Sequence, residues 1–249
     1  MCLVRDRHGL EVLMVRRAHT SRFMPGVWVF PGGAVDNRDA DPPTSFGHQG
    51  ADVDWRVAAL RELIEETGIW LTTEGARAFP LVTDAFSAVE ESSFELDQSG
   101  LIYFANWITP SVFPIRFNTR FFLAVNDGDV EGTYSGDELI DLAWVSPKEA
   151  LARVEGAMWV IAFPTRKTLE MFATESSLDA LTDRLRSIDI VRPIEPRLYV
   201  NDSEAGILLP EDPDFAAAGP AQRDPTLLDR LERVVEQGGR VPAEFRRRE

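Results

Sequence analysis

The chain is almost devoid of cysteine: Cys2 is the only one in 249 residues. An internal disulfide is therefore excluded, as is a cage of thiolates around zinc, and a reducing compartment is favoured. At a terminus and with no paired base, Cys2 is not a candidate nucleophile. Histidine is scarce as well. His8, His19 and His48 stand far apart with no metal-ligand spacing and are expected on the surface or in loops. No apolar run approaches the length that crosses a bilayer, and Arg5, Asp6 and Arg7 occupy the place of a secretory h-region. Positive charge is in deficit, with 26 Lys and Arg against 41 Asp and Glu and a net charge of -15. That balance opposes attraction to nucleic acid and to anionic membranes, so neither is expected as a partner. A cytoplasmic location is the expectation. The chain ends in FRRRE, without the peroxisomal tripeptide Ser-Lys-Leu.

With 44% hydrophobic and 27% charged residues, the composition is that of an ordinary globular protein with one large core. The stretch ALRELIEETGIW, Ala59 to Trp70, packs Glu62, Glu65 and Glu66 into five positions. Val57, Leu60, Leu63 and Ile64 recur at helical spacing, which predicts a helix from about Trp55 to Thr67 with Gly68 as its C-terminal cap. Three like charges on one turn repel one another. A cation, an arginine or water must offset them. Three carboxylates also make a set of hard oxygen ligands suited to Mg²⁺ or Mn²⁺.

Upstream, LEVLMVRR reads as a strand, VWVFPGGAV as a second strand broken by Pro31, Gly32 and Gly33, and the segment before Arg7 as the stump of another. Residues 36–54 have loop chemistry and form either a substrate lid or a tolerated surface insertion. GLIYFANWI, TRFFLAVN and LIDLAWVS are expected strands. PKEALARVEG, TRKTLEMFATES and LDALTDRLRS are expected helices. RLYVND and GILLP suggest a hairpin, followed by a flexible link and a final amphipathic helix, TLLDRLERVVEQ. The tryptophans are expected in the core or lining a pocket.

The run from Arg61 to Ile69 resembles the second half of the Nudix box. Arg61, Glu62, Leu63, Glu65, Glu66, Gly68 and Ile69 fill its fixed positions. Counted from Gly33, the box's early glutamate position holds Asp39, and Arg61 comes 28 positions after Gly33 where the pattern has 14. An insertion of about fourteen residues within the box is implied. A second stretch, LMVRRAHTSRFMPGVWVFPGG, resembles the extra motif of the coenzyme A diphosphatases within this superfamily. Arg17, Ala18, Arg22, Gly26, Phe30, Pro31, Gly32 and Gly33 stand at its spacings. The inserted box, with NWITP and RFNTRFF, is similar to a eukaryotic peroxisomal branch of these enzymes.

The resemblance implies an α/β fold, the Nudix α/β/α sandwich with a mixed β-sheet. Residues 1–200 would form the Nudix domain and 201–249 a C-terminal hairpin and helical extension, a candidate for homodimer contacts. It implies hydrolysis of a diphosphate linkage in a small nucleoside diphosphate derivative, with Mg²⁺ or Mn²⁺ held by Glu62, Glu65 and Glu66 and with Arg61 orienting Glu65. Coenzyme A or an acyl-coenzyme A is the leading substrate, giving phosphopantetheine and adenosine 3′,5′-bisphosphate. NADH, ADP-ribose, dinucleotides and nucleotide sugars are the alternative substrates, and a nucleotide sensor without catalysis is the alternative class. The segment DVEGTYSGDEL supplies Glu131, Asp137 and Glu138 as a further acidic group, with Glu138 preferred. Substrate contact is expected from Arg17, Arg22, Gly32, Gly33 and Arg120. Arg116 reads more simply as a surface arginine.

Overall fold

The structure is a computed structural model and describes residues 1–21, 24–47, 52–113, 115–200, 204–216, 226 and 229–231. The chain divides into two compact units, residues 1–104 with 121–189, and residues 105–120 with 190–249.

In the first unit, β1 (Cys2–Asp6) runs antiparallel to β2 (Leu10–Arg17). β3 (Trp28–Val29) and β8 (Leu139–Val145) both pair antiparallel with β2. Residues 15 and 16 bond to both, so these two strands lie on opposite edges of β2. On its other edge β1 pairs in parallel with β7 (Asn118–Val125), Leu3 opposite Ala124. The sheet is therefore mixed. β6 (Ile102–Ile108) and β7 each begin or end in the second unit.

Alternation along these strands creates two buried faces. Leu3, Leu13, Phe122 and Ala124 pack with Leu60, Leu63 and Ile64 of α1 (Val53–Thr67). Val4, Val12 and Met14, of opposite parity, are also wholly buried. On that second face Phe104 meets Phe121 at 6.3 Å and Phe172 at 5.8 Å, the latter from α4 (Phe163–Phe172). Helices thus cover both sides, which is the expected sandwich. Burying a leucine side chain contributes about 1.5–3 kcal/mol, so α1 is held chiefly by this stripe.

Gly68 ends α1 as expected: its φ is +68°, its amide bonds Ile64 O at 2.9 Å, and a Cβ there would run into Phe79 O. Ser146 and Ser177 cap α3 (Pro147–Glu155) and α5 (Leu178–Arg186), each accepting a backbone amide. α4 starts two residues earlier than the sequence suggests, with Pro164 in its first turn, and stops at Phe172. The expected strand through VWVFPGGAV is ladder-bonded only at Trp28 and Val29. Pro31 has no amide to continue it, and Gly32 turns away with φ +147°. Trp28 instead bonds Val160 O at 2.8 Å and stacks on Trp159 at 4.0 Å.

Two elements fall outside the sequence expectations. β4 (Ile69–Thr72) and β5 (Gly75–Ala78) make a hairpin directly after the cap, and α2 (Ala85–Glu91) is a helix of two turns. Both are too short to show a period of their own. Asp84 starts α2 by accepting the amides of Phe86 and Ser87.

The inserted segment is a packed strap over its described part. Asn37–Ala40 and Thr44–Phe46 are short 3₁₀ turns. Phe46 has no solvent exposure and lies 4.8 Å from Phe86. Leu96 N bonds Ser45 O at 2.8 Å and Gln98 Nε2 bonds Phe46 O at 2.7 Å.

In the second unit, β9 (Pro193–Ile194) pairs in parallel with β6, Trp107 opposite Ile194. β10 (Arg197–Val200) and β11 (Ala205–Leu208) form the expected hairpin. Leu198, Val200, Ala205 and Leu231 pack together with Val112 and Phe113. Of the expected final helix, Thr226 and residues 229–231 are helical; the remainder lies outside the described residues. No helix among the described residues is long and apolar enough to cross a membrane.

Candidate active site

Four segments of the first unit converge on a cleft of about 400 Å³. The end of β2 and the residues beyond it bring Arg17, Thr20 and Ser21, and the bend after β3 brings Gly32 and Gly33. Helix α1 brings Glu62 and Glu66, and the turn into β8 brings Asp137, Glu138 and Leu139. The sequence-derived Arg17, Gly32, Gly33, Glu62, Glu66 and Glu138 are thus brought together.

Backbone geometry sets the walls. Gly26 N bonds Arg17 O at 3.2 Å and Arg17 N bonds Val27 O at 3.0 Å, closing the loop after β2 upon itself. Ala18 N bonds Glu138 O at 2.8 Å, which ties that loop to the acidic turn. Next to this junction the β2–β8 ladder has a bulge, with Arg16 opposite Asp141 and Arg17 opposite Leu139. Gly32 N donates to Glu66 Oε2 at 2.8 Å. A Cβ on Gly33 would overlap the Glu62 carboxylate, so glycine is what lets the bend lie against that group.

The three glutamates of α1 have different partners. Glu62 Oε1 accepts Arg61 Nη1 at 2.7 Å. Glu66 takes the Gly32 amide. Glu65 is turned elsewhere: Oε2 takes Arg61 Nη1 at 3.3 Å and Oε1 takes the amide of Ala85 at 3.0 Å. Burial pushes the Glu66 carboxyl up to about 8, aided by the neighbouring Glu62 charge and opposed by the Gly32 amide. Glu62 is raised for the same first reason, with Arg61 acting against it.

Arg61 is the hub. Besides Glu62 and Glu65 it bonds Asp39 through Nε at 2.9 Å and Nη2 at 3.0 Å, and Ala34 O through Nη2 at 2.9 Å. Burial works against its charge, but Asp39 and Glu62 outweigh it and raise the pKa. Asp39 has no solvent exposure, and its Oδ2 also accepts the amide of Asp36 at 2.6 Å. The sequence reading gave Arg61 only Glu65 as a partner and Asp39 no role. The signal for Asp39 was its place six positions after Gly33, the early acidic position of the box. Thr20 and Ser21 were missed because nothing in their spacing distinguishes them from other loop hydroxyls.

The remaining sequence candidates are placed as follows. Arg22 lies outside the described residues. Arg120 falls on β7 in the second unit. Glu131, itself exposed, pairs with the buried Arg5 at 2.8 Å and the exposed Arg7 at 3.1 Å, and Arg116 pairs with Glu195 at 2.8 Å.

The donor set suits a divalent cation. Glu62 and Glu66 are hard oxygen donors, stand close enough for the Glu62 charge to help raise the Glu66 pKa after burial, and face a cleft that also carries Asp137 and Glu138. Among the described residues, no group of three or more His, Cys, Asp or Glu side chains is gathered as a ready-made cage. Of the three sequence-derived ligands, Glu62 and Glu66 line this cleft and could hold the ion.

A family profile of the NUDIX domain matches residues 1–163, well over half of the chain. The chain belongs to the Nudix family. Among curated proteins, this Nudix chain is 32% identical over 165 residues to "Putative nudix hydrolase 7" of Caenorhabditis elegans, covering 62% of this chain and 52% of that protein. It spans about half the length of that relative. It is 23% identical over 305 aligned positions to an acyl-coenzyme A diphosphatase of Xenopus laevis, covering 92% of this chain and 79% of the relative. Among solved structures, a NUDIX hydrolase from Alicyclobacillus acidocaldarius is 28% identical, with a TM-score of 0.61, covering 77% of this chain and 95% of the other. That likeness agrees with the sandwich described above.

Proposed function

We propose that this Nudix chain hydrolyses a diphosphate linkage with the help of Mg²⁺ or Mn²⁺, with coenzyme A or an acyl-coenzyme A as its leading substrate. The observation that carries the reading is the pair Glu62 and Glu66, sharing one cleft with Arg17. Two partly desolvated carboxylates have little reason to adjoin unless a cation is to be held between them and an anion.

Each residue then has a task. Glu62 and Glu66 hold the cation, Glu62 kept in line by Arg61 and Glu66 by the Gly32 amide. When bound, a divalent ion offsets the charge of the diphosphate and lowers the pKa of a water. Arg17 is suited to a phosphate oxygen, which a guanidinium can meet with two parallel hydrogen bonds. In the reaction the water oxygen bonds to one phosphorus, the bridging phosphorus–oxygen bond breaks, and the second phosphate leaves with that oxygen. Glu138 is the proposed acceptor of the water's proton, since Glu62 and Glu66 are engaged by Arg61 and Gly32. For coenzyme A the products are phosphopantetheine and adenosine 3′,5′-bisphosphate. The motif around Arg17 and the likeness to the Xenopus acyl-coenzyme A diphosphatase support this substrate class.

The test is a substrate panel with Mg²⁺: coenzyme A, an acyl-coenzyme A, NADH, ADP-ribose and a sugar nucleotide, with products separated and identified. Adenosine 3′,5′-bisphosphate from the coenzyme A members is expected. Turnover confined to NADH, ADP-ribose or sugar nucleotides would transfer the assignment to another pyrophosphatase class. Binding without turnover of any member would make the protein a sensor.

A further inference from the structure

The turn after β2 brings to the cleft two hydroxyls with no task so far. Ser21 N donates to Ala18 O at 3.1 Å, which makes His19 and Thr20 the central residues of a turn, and Thr20 and Ser21 line the cleft. Ala18 is buried and its amide bonds Glu138 O, so one end of the turn is fixed. Side-chain donors are scarce in this cleft. Among the described residues that line it, Arg17, Thr20 and Ser21 supply them, and the remaining polar side chains are carboxylates, which only accept when ionised. The ester and bridging oxygens of a diphosphate are acceptors too, so among side chains they can be met by Arg17 and these two hydroxyls.

A fit between His19 and Gly26 steadies the turn. Gly26 has φ +69°, and a Cβ built on it would stand 2.8 Å from both Cε1 and Nδ1 of His19. The imidazole ring occupies the place that a side chain at position 26 would take. Gly26 is itself anchored: its amide bonds Arg17 O at 3.2 Å, and its carbonyl accepts Arg16 Nε at 3.3 Å. An exposed turn closed by one hydrogen bond opens readily, and a ring seated on a fixed glycine holds it. We propose that His19 is a positioning residue which, seated on Gly26, keeps Thr20 and Ser21 where their hydroxyls donate to a phosphate of the substrate. The phosphate contact rests on the proposed function, whereas the seat of His19 does not.

Two measurements test this. In the first, the Gly26 Hα resonances are assigned by nuclear magnetic resonance in ligand-free wild type and His19→Ala. The ring current of His19 should displace them in the wild type, and the displacement should vanish in His19→Ala. Identical Gly26 resonances in the two proteins overturn the seat. In the second, steady-state kinetics are measured on the substrate that the Mg²⁺ panel identifies. Thr20→Val, Ser21→Ala and His19→Ala should each raise KM by about tenfold, the effect of one hydrogen bond lost to a charged group, with kcat within about threefold of wild type. His19→Phe keeps a flat ring for the seat and has no nitrogen, so it should restore the wild-type KM. A His19→Phe variant as impaired as His19→Ala overturns the positioning role by making the imidazole a direct contact of the substrate. An unchanged KM in both Thr20→Val and Ser21→Ala overturns the phosphate contact. A wild-type protein that turns over no member of the panel refutes the proposed function instead, and the Gly26 resonances still decide whether His19 holds the turn.

Discussion

Asp39, with no solvent exposure, grips Arg61, 22 positions further along the chain, through both carboxylate oxygens at 2.9 and 3.0 Å. The pair joins the strap before α1 to the middle of α1, and the same guanidinium reaches Glu62. A buried ion pair is a costly thing to leave half-made, because the surviving charge has lost its solvent and its partner together.

Asp39→Asn keeps the shape and removes the charge. It is expected to lower the free energy of unfolding by about 3 kcal/mol, the lower end for a buried pair broken on one side, because Arg61 keeps Glu62, Glu65 and Ala34 O. Urea denaturation checks this. A loss within about 0.5 kcal/mol, the range of ordinary surface changes, would show that the pair contributes nothing to stability.

Phe46→Ala asks whether the inserted segment is a lid or a part of the core. Phe46 is wholly buried against Phe86, so its truncation should cost about 3–5 kcal/mol, as removal of a core phenylalanine does. A mobile lid would give almost no change in the urea midpoint.

Gly33→Ala separates fold from site. The new methyl group would overlap only the far end of the Glu62 side chain, which can swing away, so the melting temperature should change little. The same swing removes Glu62 from its place at Arg61, and diphosphate hydrolysis should fall by more than about tenfold, as displacement of a positioned group does. Full activity in Gly33→Ala would show that the position of Glu62 is immaterial.

Added Mn²⁺ should raise the melting temperature of the wild type, since a ligand that binds only the folded chain stabilises it by mass action. In Glu66→Gln the rise should largely disappear, although the ion-free variant melts no lower than the ion-free wild type, because a carboxyl that burial and the Glu62 charge make costly to ionise has been replaced by a neutral amide. An undiminished Mn²⁺ effect would place the ion elsewhere.

The sequence announced α1 clearly, since four apolar positions at helical spacing and a glycine cap speak through local periodicity alone. The long strands β2, β6, β7 and β8 were legible for the same reason. β4, β5 and α2 were not, because four to seven residues carry too little pattern to be told from their surroundings. In the cleft, Glu62 and Glu66 could be named from their crowding on one helical turn, and Arg17 and Glu138 through the resemblance to the Nudix enzymes. The partners of Arg61 and Glu65 could not. Asp39 meets Arg61 only through the path of the strap between them, and Ala85 serves Glu65 with a backbone amide, which no side-chain type signals.

The bulge where β8 meets the end of β2 leaves Ile140 without an opposite residue. A regular ladder would set Ile140 opposite Arg17 and pull the preceding segment along by one place. Since successive side chains of a strand point to opposite sides, Leu139 would then exchange orientation with its acidic neighbours. Glu138 would leave the cleft, and a leucine now 2% exposed would be driven toward water. The chain can lengthen or shorten freely in many loops, but here its chemistry depends on a count of one.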